Sequence, residues 1–114
     1  MRNLVKIFKA LSDPNRIRIL KMLQIRSLCV CEIREVLALA NSTVSKHLTL
    51  LRDAELILDY KDGKWVNYSL NPSTSELYVS QLLPLLENWL PDDQTIQSDR
   101  QKVNTVDRET ICRV

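Results

Sequence analysis

The residues best able to do chemistry in this chain are two cysteines separated by one residue, Cys29 and Cys31. Thiolates bind soft metal ions, and they are also the form of cysteine that is oxidised. Residues two positions apart lie about 200° apart around an ideal helix, so the two thiols cannot point to the same side of one helix. We therefore expect one of them to face outward or to lie on non-helical backbone. The spacing favours a sensing or binding role over two buried structural thiols.

The cysteine pair stands where a helix is predicted to begin. Cys29 can serve as the N-cap and Glu32 as the third-position acid of a capping box. A helix N-terminus lowers the pKa of a thiol, which favours the thiolate. The apolar residues that follow recur at helical spacing and predict one buried face, formed by Val30, Ile33, Leu37 and Ala40.

Length and composition predict one small domain without a membrane partner. The chain has 114 residues, and its three cysteines, an odd number, indicate no disulfide framework. No apolar run is long enough to span a bilayer, and basic residues interrupt the N-terminus, so we expect a cytoplasmic protein with reduced thiols. We find no nucleotide-binding loop, no hydrolytic constellation and no thioredoxin-like Cys-x-x-Cys unit, so an enzyme is not expected.

Charge is divided unevenly along the chain. Residues 1–52 hold ten basic residues against three acidic ones, a net charge of +7, whereas residues 53–114 carry −5. Such a division suggests that the first half faces a polyanion. A solvated surface without a partner remains the alternative until a motif supports the charge.

Four helices are predicted before residue 55, and the last two form a helix-turn-helix. The first helix covers Leu4 to Leu11, the second Pro14 to Leu23 with Asp13 as N-cap, and the third Cys29 to Leu39. The fourth covers Ser42 to Ala54 and buries an apolar face at Val44, Leu48 and Leu51. Its opposite face is short and polar, as is typical of a helix that reads the major groove. Ser42, Lys46, Thr49 and Asp53 form that face, flanked by Thr43 and Ser45.

A β-hairpin is predicted directly after this unit. Two β-prone runs, Leu56 to Tyr60 and Trp65 to Leu70, flank an Asp-Gly turn, and Gly63 is the only glycine in the chain. A hairpin in this place is a wing, with Lys61 and Lys64 at its tip, where they can meet phosphate. The predicted fold is therefore mostly α with a β-hairpin wing, a winged helix-turn-helix.

The remainder of the chain predicts a dimerisation surface followed by a polar extension. A capping box at Ser73 to Glu76 should open a helix that Pro84 kinks or divides, and this helix is more apolar than a small monomer can cover. We therefore expect a homodimer. Residues 1–90 form the DNA-binding and dimerisation domain, and residues 91–114 form a polar extension. In this extension Asp92 or Asp93 could cap a weak helix through Ile96 and Val103, and the last residues, including Cys112, are expected to be mobile.

These features together resemble the ArsR/SmtB family of metal-responsive winged-helix repressors, over roughly residues 3–90. The matching stretches, in order, are Ala10-Leu11-Ser12-Asp13-Pro14, Leu28-Cys29-Val30-Cys31-Glu32-Ile33, Ser42-Thr43-Val44-Ser45-Lys46-His47-Leu48, Leu51-Arg52-Asp53-Ala54-Glu55-Leu56 and Gly63-Lys64-Trp65-Val66-Asn67-Tyr68-Ser69-Leu70. The resemblance implies a homodimer that binds double-stranded operator DNA with an inverted repeat and leaves it when an inducer binds.

The resemblance also implies the inducer. The Leu-Cys-Val-Cys-acid sequence is similar to that of the branch that senses arsenic(III) and antimony(III), whose members usually carry a third cysteine three residues after the second. Arg34 occupies that position here. Three ways of completing the site remain open. Cys112 could supply the third thiolate from its own or the partner's tail, an external thiol or hydroxide could do so, or the pair could respond to something else.

Related sites for other ions are not expected. Lead and cadmium sensors of the family carry additional cysteines near the N-terminus, and residues 1–28 contain none. Zinc and nickel sensors use histidine and carboxylate ligands on the C-terminal helix, whereas His47 is the only histidine, so no zinc site is expected. Two other functions stay open within this fold. One is a repressor that senses thiol oxidation, and the other is a DNA-binding protein that responds to no effector.

For a repressor of this type, residues that touch DNA can be named by position. The residues expected near base edges are Ser42, Thr43, Ser45, Lys46 and Thr49. The residues expected at the phosphate backbone are Arg16 or Arg18, His47, Arg52, Lys61 and Lys64.

Overall fold

The computed structural model describes residues 1–112. Within that range the chain forms seven helices and three strands. They are α1 (Arg2–Leu11), α2 (Pro14–Leu23), β1 (Leu28–Cys29), α3 (Val30–Leu37), α4 (Asn41–Asp53), β2 (Ile57–Asp62), β3 (Trp65–Leu70), α5 (Leu77–Glu87), α6 (Gln94–Val103) and α7 (Arg108–Ile111). No helix in the described part of the chain is long and apolar enough to cross a membrane.

The helix-turn-helix is confirmed in α3 and α4. Helix α3 ends at Leu37, and its C-cap Ala38 has a φ of 56° in the left-handed region. Helix α4 begins three residues after Ala38. The predicted anchors of α4, Val44, Leu48 and Leu51, are all fully buried. They pack into a core with residues of α2 and α3, which fixes the outward direction of the opposite face of α4.

The wing is confirmed, and it has a third strand that sequence analysis missed. Strands β2 and β3 pair antiparallel, with Asp62 opposite Trp65 across the turn, and Gly63 there has a φ of 62°. Strand β1 pairs with the other edge of β3, giving the order β1-β3-β2. A strand of two residues has no detectable alternation, so no sequence pattern could have predicted it.

The two C-terminal helices pack against the domain. Asp93, one of the two predicted N-caps, caps α6, and both apolar residues of that helix, Ile96 and Val103, are buried. The expectation that the last residues are mobile is wrong for residues 108–112, because residues 108–111 form α7 and the Cys112 side chain that follows is buried. The predicted capping box before α5 is also wrong. Helix α5 begins only at Leu77, because Glu76 accepts the capping hydrogen bond from Tyr78 N, and it continues through Pro84.

Candidate functional site

Cys29 and Cys31 occupy different kinds of backbone, which is one of the two arrangements that the spacing predicted. Cys29 is the last residue of β1 and the N-cap of α3, with extended φ and ψ of −85° and 167°, and Cys31 lies in the first helical turn. The Cys29 amide donates to Glu32 Oε1 at 3.0 Å, which confirms the capping role of that acid. Because Cys29 lies outside the helix, the two thiols are not held 200° apart.

Cys112 completes a cluster of three sulfur atoms. Helix α7, capped by Asp107, places the Cys112 Sγ 3.7 Å from the Cys29 Sγ. Cys112 is joined to Cys31 in a disulfide, with Cα atoms 5.7 Å apart and a sequence separation of 81. The expectation of three reduced thiols therefore differs from the structure. All three sulfur atoms lie within 4.8 Å of one another, and all three belong to one chain.

The electrostatic environment of Cys29 differs from the expectation. Burial raises the pKa of the Cys29 thiol, and this outweighs the opposing effect of its backbone hydrogen bonds with Glu32 and Cys31. The backbone amides at the helix N-terminus lower the pKa less than burial raises it, because the side chain is fully buried and the charged form loses its hydration. The neutral thiol is therefore the favoured form of Cys29 at neutral pH.

Arg26 fixes the C-terminal segment beside the cysteines, and sequence analysis gave it no role. Its Nη2 donates to Glu32 Oε2 at 3.2 Å, to Val103 O at 3.1 Å and to Val106 O at 3.0 Å. One guanidinium thus ties the capping acid of α3 to the end of α6 and the loop before α7. Arg26 lies in the segment between α2 and β1, where no periodic pattern of residues would reveal such partners from the sequence.

Arg108 links α7 to the wing, and this too was missed. Its Nη2 donates to Asp62 Oδ2 at 2.9 Å, its Nη1 donates to Asn67 Oδ1 at 3.2 Å, and its guanidinium lies 4.1 Å from the centre of the Trp65 ring. A basic residue in a polar extension is ordinarily solvated, so its sequence context offered no hint of these contacts.

The expected base-reading residues lie on one solvent-facing side of α4. The side chains that are exposed there are Ser42, Thr43, Ser45, Lys46 and Thr49. Thr49 Oγ1 donates to Ser45 O at 2.9 Å, one turn back. Lys61 and Lys64 are exposed at the end of the wing, and the Lys64 Nζ lies 4.7 Å from the centre of the Trp65 ring.

Several residues expected at phosphates are engaged within the protein. His47 is half-buried, and its Nδ1 lies 3.0 Å from Arg16 Nη1, while Arg16 also donates to the carbonyl of Ala10. Arg52 forms an exposed ion pair with Asp59 on β2 at 3.1 Å. Arg16 therefore connects α1, α2 and α4, and Arg52 connects α4 to the wing.

Exposed apolar side chains gather on α1 and α5. Phe8, predicted on the apolar face of the first helix, is 63 % exposed, and Leu85 is 53 % exposed. The Asn3 amide donates to Glu76 Oε2 at 2.9 Å, so the start of α1 lies beside the start of α5. The other exposed apolar residues of these two helices and of the turn that follows are Val5, Leu77, Tyr78, Trp89 and Leu90.

The three sulfur donors of the cysteine cluster fit a soft, thiophilic ion. Among residues 1–112, the cysteine cluster is the one group of three metal-ligating side chains close enough to share an ion. His47 lies instead on α4 against Arg16. Three thiolates are the ligands preferred by soft ions.

The fold and the exposed face of α4 define a winged helix-turn-helix transcriptional regulator, and comparison with known proteins gives its family. Residues 13–58 match the model of the bacterial regulatory proteins of the arsR family. The chain is 42% identical over 95 residues to an arsenical resistance operon repressor of Escherichia coli K12, covering 82% of this chain and 79% of that one. It is 35% identical over 85 residues to an arsenical resistance operon repressor of Staphylococcus xylosus, covering 75% and 81%.

A solved structure of a transcriptional regulator has a similar fold. HlyU from Vibrio cholerae N16961 superposes with a TM-score of 0.62 at 32% identity, over 75% of this chain and 88% of that one. The chain belongs to the ArsR family of transcriptional regulators. The predicted resemblance is confirmed, and the protein is a DNA-binding transcriptional repressor and not an enzyme.

Proposed function

We propose that this repressor releases its operator when trivalent arsenic, or antimony, binds to the thiolates of Cys29, Cys31 and Cys112. The observation that carries the proposal is the convergence of three sulfur atoms within 4.8 Å, supplied by β1, α3 and the residue after α7. Arsenical resistance repressors among the relatives support the choice of ion. With the Cys31–Cys112 bond reduced, three thiols exchange with the three hydroxyls of arsenous acid, forming three As–S bonds and releasing three waters.

The site is connected to the DNA-reading helix through Arg34. This residue stands where the arsenic-sensing branch usually has its third cysteine, and its Nη1 donates to Asn41 Oδ1 at 3.0 Å. Asn41 is the first residue of α4. A change in the first turn of α3 therefore reaches the start of α4 through one side chain as well as through the packing of the two helices. An inducer shifts the equilibrium only if it binds the DNA-incompetent state more tightly.

The DNA-bound form that we propose is a cytoplasmic homodimer on an inverted repeat. Residues 1–90 would read DNA and dimerise through the exposed apolar surface of α1 and α5, and the extension from residue 91 would supply the third thiolate. The proposed base readers are Ser42, Thr43, Ser45, Lys46 and Thr49. The proposed phosphate contacts are His47, Arg52, Lys61 and Lys64.

The proposal is tested by arsenic X-ray absorption on the loaded, reduced protein together with operator anisotropy. We expect three sulfur ligands for the wild type and two for Cys112→Ser. Cys29→Ser and Cys31→Ser should keep operator affinity and lose release by arsenite. Release at wild-type arsenite concentrations in either of those two variants would refute the site. Three sulfur ligands in Cys112→Ser would exclude Cys112 as the third ligand.

A second candidate function is favoured by the Cys31–Cys112 disulfide itself. Oxidation of the two thiols by a peroxide would form this bond, transferring two electrons to the peroxide, which leaves as two waters with the two thiol protons. The discriminating measurement is operator release by hydrogen peroxide without arsenite, reversed by dithiothreitol. Release by arsenite under reducing conditions supports the first function, and indifference to both agents indicates a repressor without an effector.

A further inference from the structure

The wing is held from the side by a residue of the C-terminal extension. Arg108 meets three wing residues at once, through hydrogen bonds to Asp62 and Asn67 and through stacking on Trp65. Asp62 and Trp65 flank the turn that carries Lys64. A planar guanidinium with several donors suits such a set of contacts, because one side chain can satisfy two oxygens and an aromatic face together.

The same short helix ends at the cysteine cluster. Cys112 lies four positions after Arg108, and its amide donates to the Arg108 carbonyl at 2.9 Å. The backbone turn between them is therefore closed by a hydrogen bond, and α7 is capped by Asp107 at its other end. A closed helical turn moves as one body, so a displacement of the Cys112 sulfur is passed to the Arg108 side chain.

A second connection reaches the same point of the wing through the sheet. Cys29 stands opposite Asn67 in the β1–β3 pairing. The buried Asn67 donates to Asp62 Oδ2 at 3.2 Å and accepts from Arg108. Cys29 and Cys112 therefore approach Asn67 from two sides, by the strand backbone and by α7.

We propose that Arg108 is the positioning residue that transmits the state of the cysteine cluster to the DNA-binding wing. Engagement of Cys112 at the cluster seats α7, and Arg108 then holds the wing in the position seen here. This inference rests on the proposed function for its direction. If arsenite binding causes release, the wing position held by Arg108 is the one with lower operator affinity, because arsenite shifts the equilibrium toward the state that it binds more tightly.

The test compares how strongly arsenite changes operator affinity in four proteins, namely wild type, Arg108→Ala, Arg108→Lys and Arg100→Ala. Arg100 is exposed on α6 and supplies a matched control that removes a guanidinium from the same extension. In Arg108→Ala we expect the arsenite-induced rise in operator Kd to shrink about five-fold or more, the lower end of usual coupling between sites. Arg108→Lys keeps the charge but loses the planar guanidinium with its several donors. Its arsenite-induced rise in operator Kd should therefore fall between those of Arg108→Ala and the wild type.

The measured quantity for each protein is the ratio of its operator Kd with arsenite to its operator Kd without arsenite, so a general loss of affinity cancels. X-ray absorption must show the same sulfur count at arsenic in Arg108→Ala and wild type, which separates coupling from binding. An unchanged ratio in Arg108→Ala would overturn the proposal. An equal loss in Arg100→Ala would also overturn it, because the effect would then be one of net charge.

If arsenite does not release the wild-type protein from its operator, the proposed function is refuted but this inference is not. Hydrogen exchange in the absence of arsenite then tests the role of Arg108. Diamide takes up two electrons and two protons from Cys31 and Cys112, forms their disulfide and so seats α7. Amide exchange in residues 59–66 should then slow several-fold in the wild type and in Arg100→Ala, and remain unchanged in Arg108→Ala. Equal slowing in Arg108→Ala would overturn the role of Arg108.

Discussion

Arg18 on α2 and Asp99 on α6 form a two-pronged ion pair that fastens the C-terminal extension to the helix-turn-helix domain. Arg18 Nε lies 2.8 Å from Asp99 Oδ2, and Arg18 Nη2 lies 2.9 Å from Asp99 Oδ1. The Asp99 side chain is only 3% exposed, and its hydrogen bond raises the pKa of the Arg18 guanidinium further above its ordinary value. Arg18, which sequence analysis offered as a phosphate contact, is thus occupied within the protein.

Replacement of Arg18 should therefore act on stability. Arg18→Ala leaves the Asp99 carboxylate buried and unpaired, and we expect it to lower the free energy of unfolding by about 3 kcal/mol, the usual cost of breaking a buried pair. Urea unfolding under reducing conditions measures this change. The double variant Arg18→Met, Asp99→Leu should recover part of the loss, since it leaves no unpaired charge. Weakened operator binding with unchanged stability would instead make Arg18 a DNA contact.

Lys46 is expected to contribute to operator binding from the exposed face of α4. Lys46→Ala should weaken the operator complex, and because it removes one cation from the DNA interface it should reduce the slope of log K against log salt by about 1. Fluorescence anisotropy at several salt concentrations measures both quantities. Lys102→Ala is the matched control, because Lys102 is exposed on α6, away from α4. Unchanged affinity in Lys46→Ala would contradict the assignment of α4 as the reading helix.

The exposed apolar surface of α1 and α5 predicts the oligomeric state. Leu85→Lys introduces a charge into that surface, and we expect it to convert a dimer to a monomer in sedimentation equilibrium. Leu58→Lys provides the control, since Leu58 is similarly exposed, at 44%, but lies on the wing. A wild-type protein that sediments as a monomer, or a Leu85→Lys variant that stays dimeric, would contradict this interface.

The Arg16 contacts predict a role in aligning the reading helix. Arg16 donates to Ala10 O at 2.8 Å and to Lys9 O at 3.1 Å, and it reaches His47 on α4. Arg16→Lys keeps the charge, but one ammonium group cannot reach all three acceptors. We expect a loss of about 1.5–3 kcal/mol in the free energy of unfolding, the worth of one charged hydrogen bond.

His47→Ala distinguishes the contact of Arg16 with α4 from its contacts with α1. It removes the link from Arg16 to α4 and leaves the contacts of Arg16 with α1. We expect weaker operator binding with a smaller change in thermal stability than in Arg16→Lys. Equal effects of both substitutions on stability, with operator affinity unaffected, would show that the contact only supports the fold.

Sequence alone determined the elements whose signals are local. The Asp13-Pro14 start of α2, the apolar face of α4 and the Asp-Gly hairpin each follow from a few neighbouring residues, and the structure contains all three. The cysteine spacing also predicted that one thiol would face outward or lie on non-helical backbone, and the N-cap position of Cys29 provides the second arrangement. These outcomes follow because capping, periodicity and turn geometry depend on short stretches of chain.

Tertiary structure alone decided what the C-terminal extension does. Composition predicted a polar extension with mobile last residues. In the structure Ile96 and Val103 bury α6 against the domain, and α7 places Cys112 beside Cys29. The contacts of Arg26 and Arg108 join segments about 40 to 80 residues apart. Such contacts form when distant backbones are brought together by burial of their apolar faces. No spacing rule relates their positions in the chain, so the meeting of three thiols and the attachment of the wing belong to the fold.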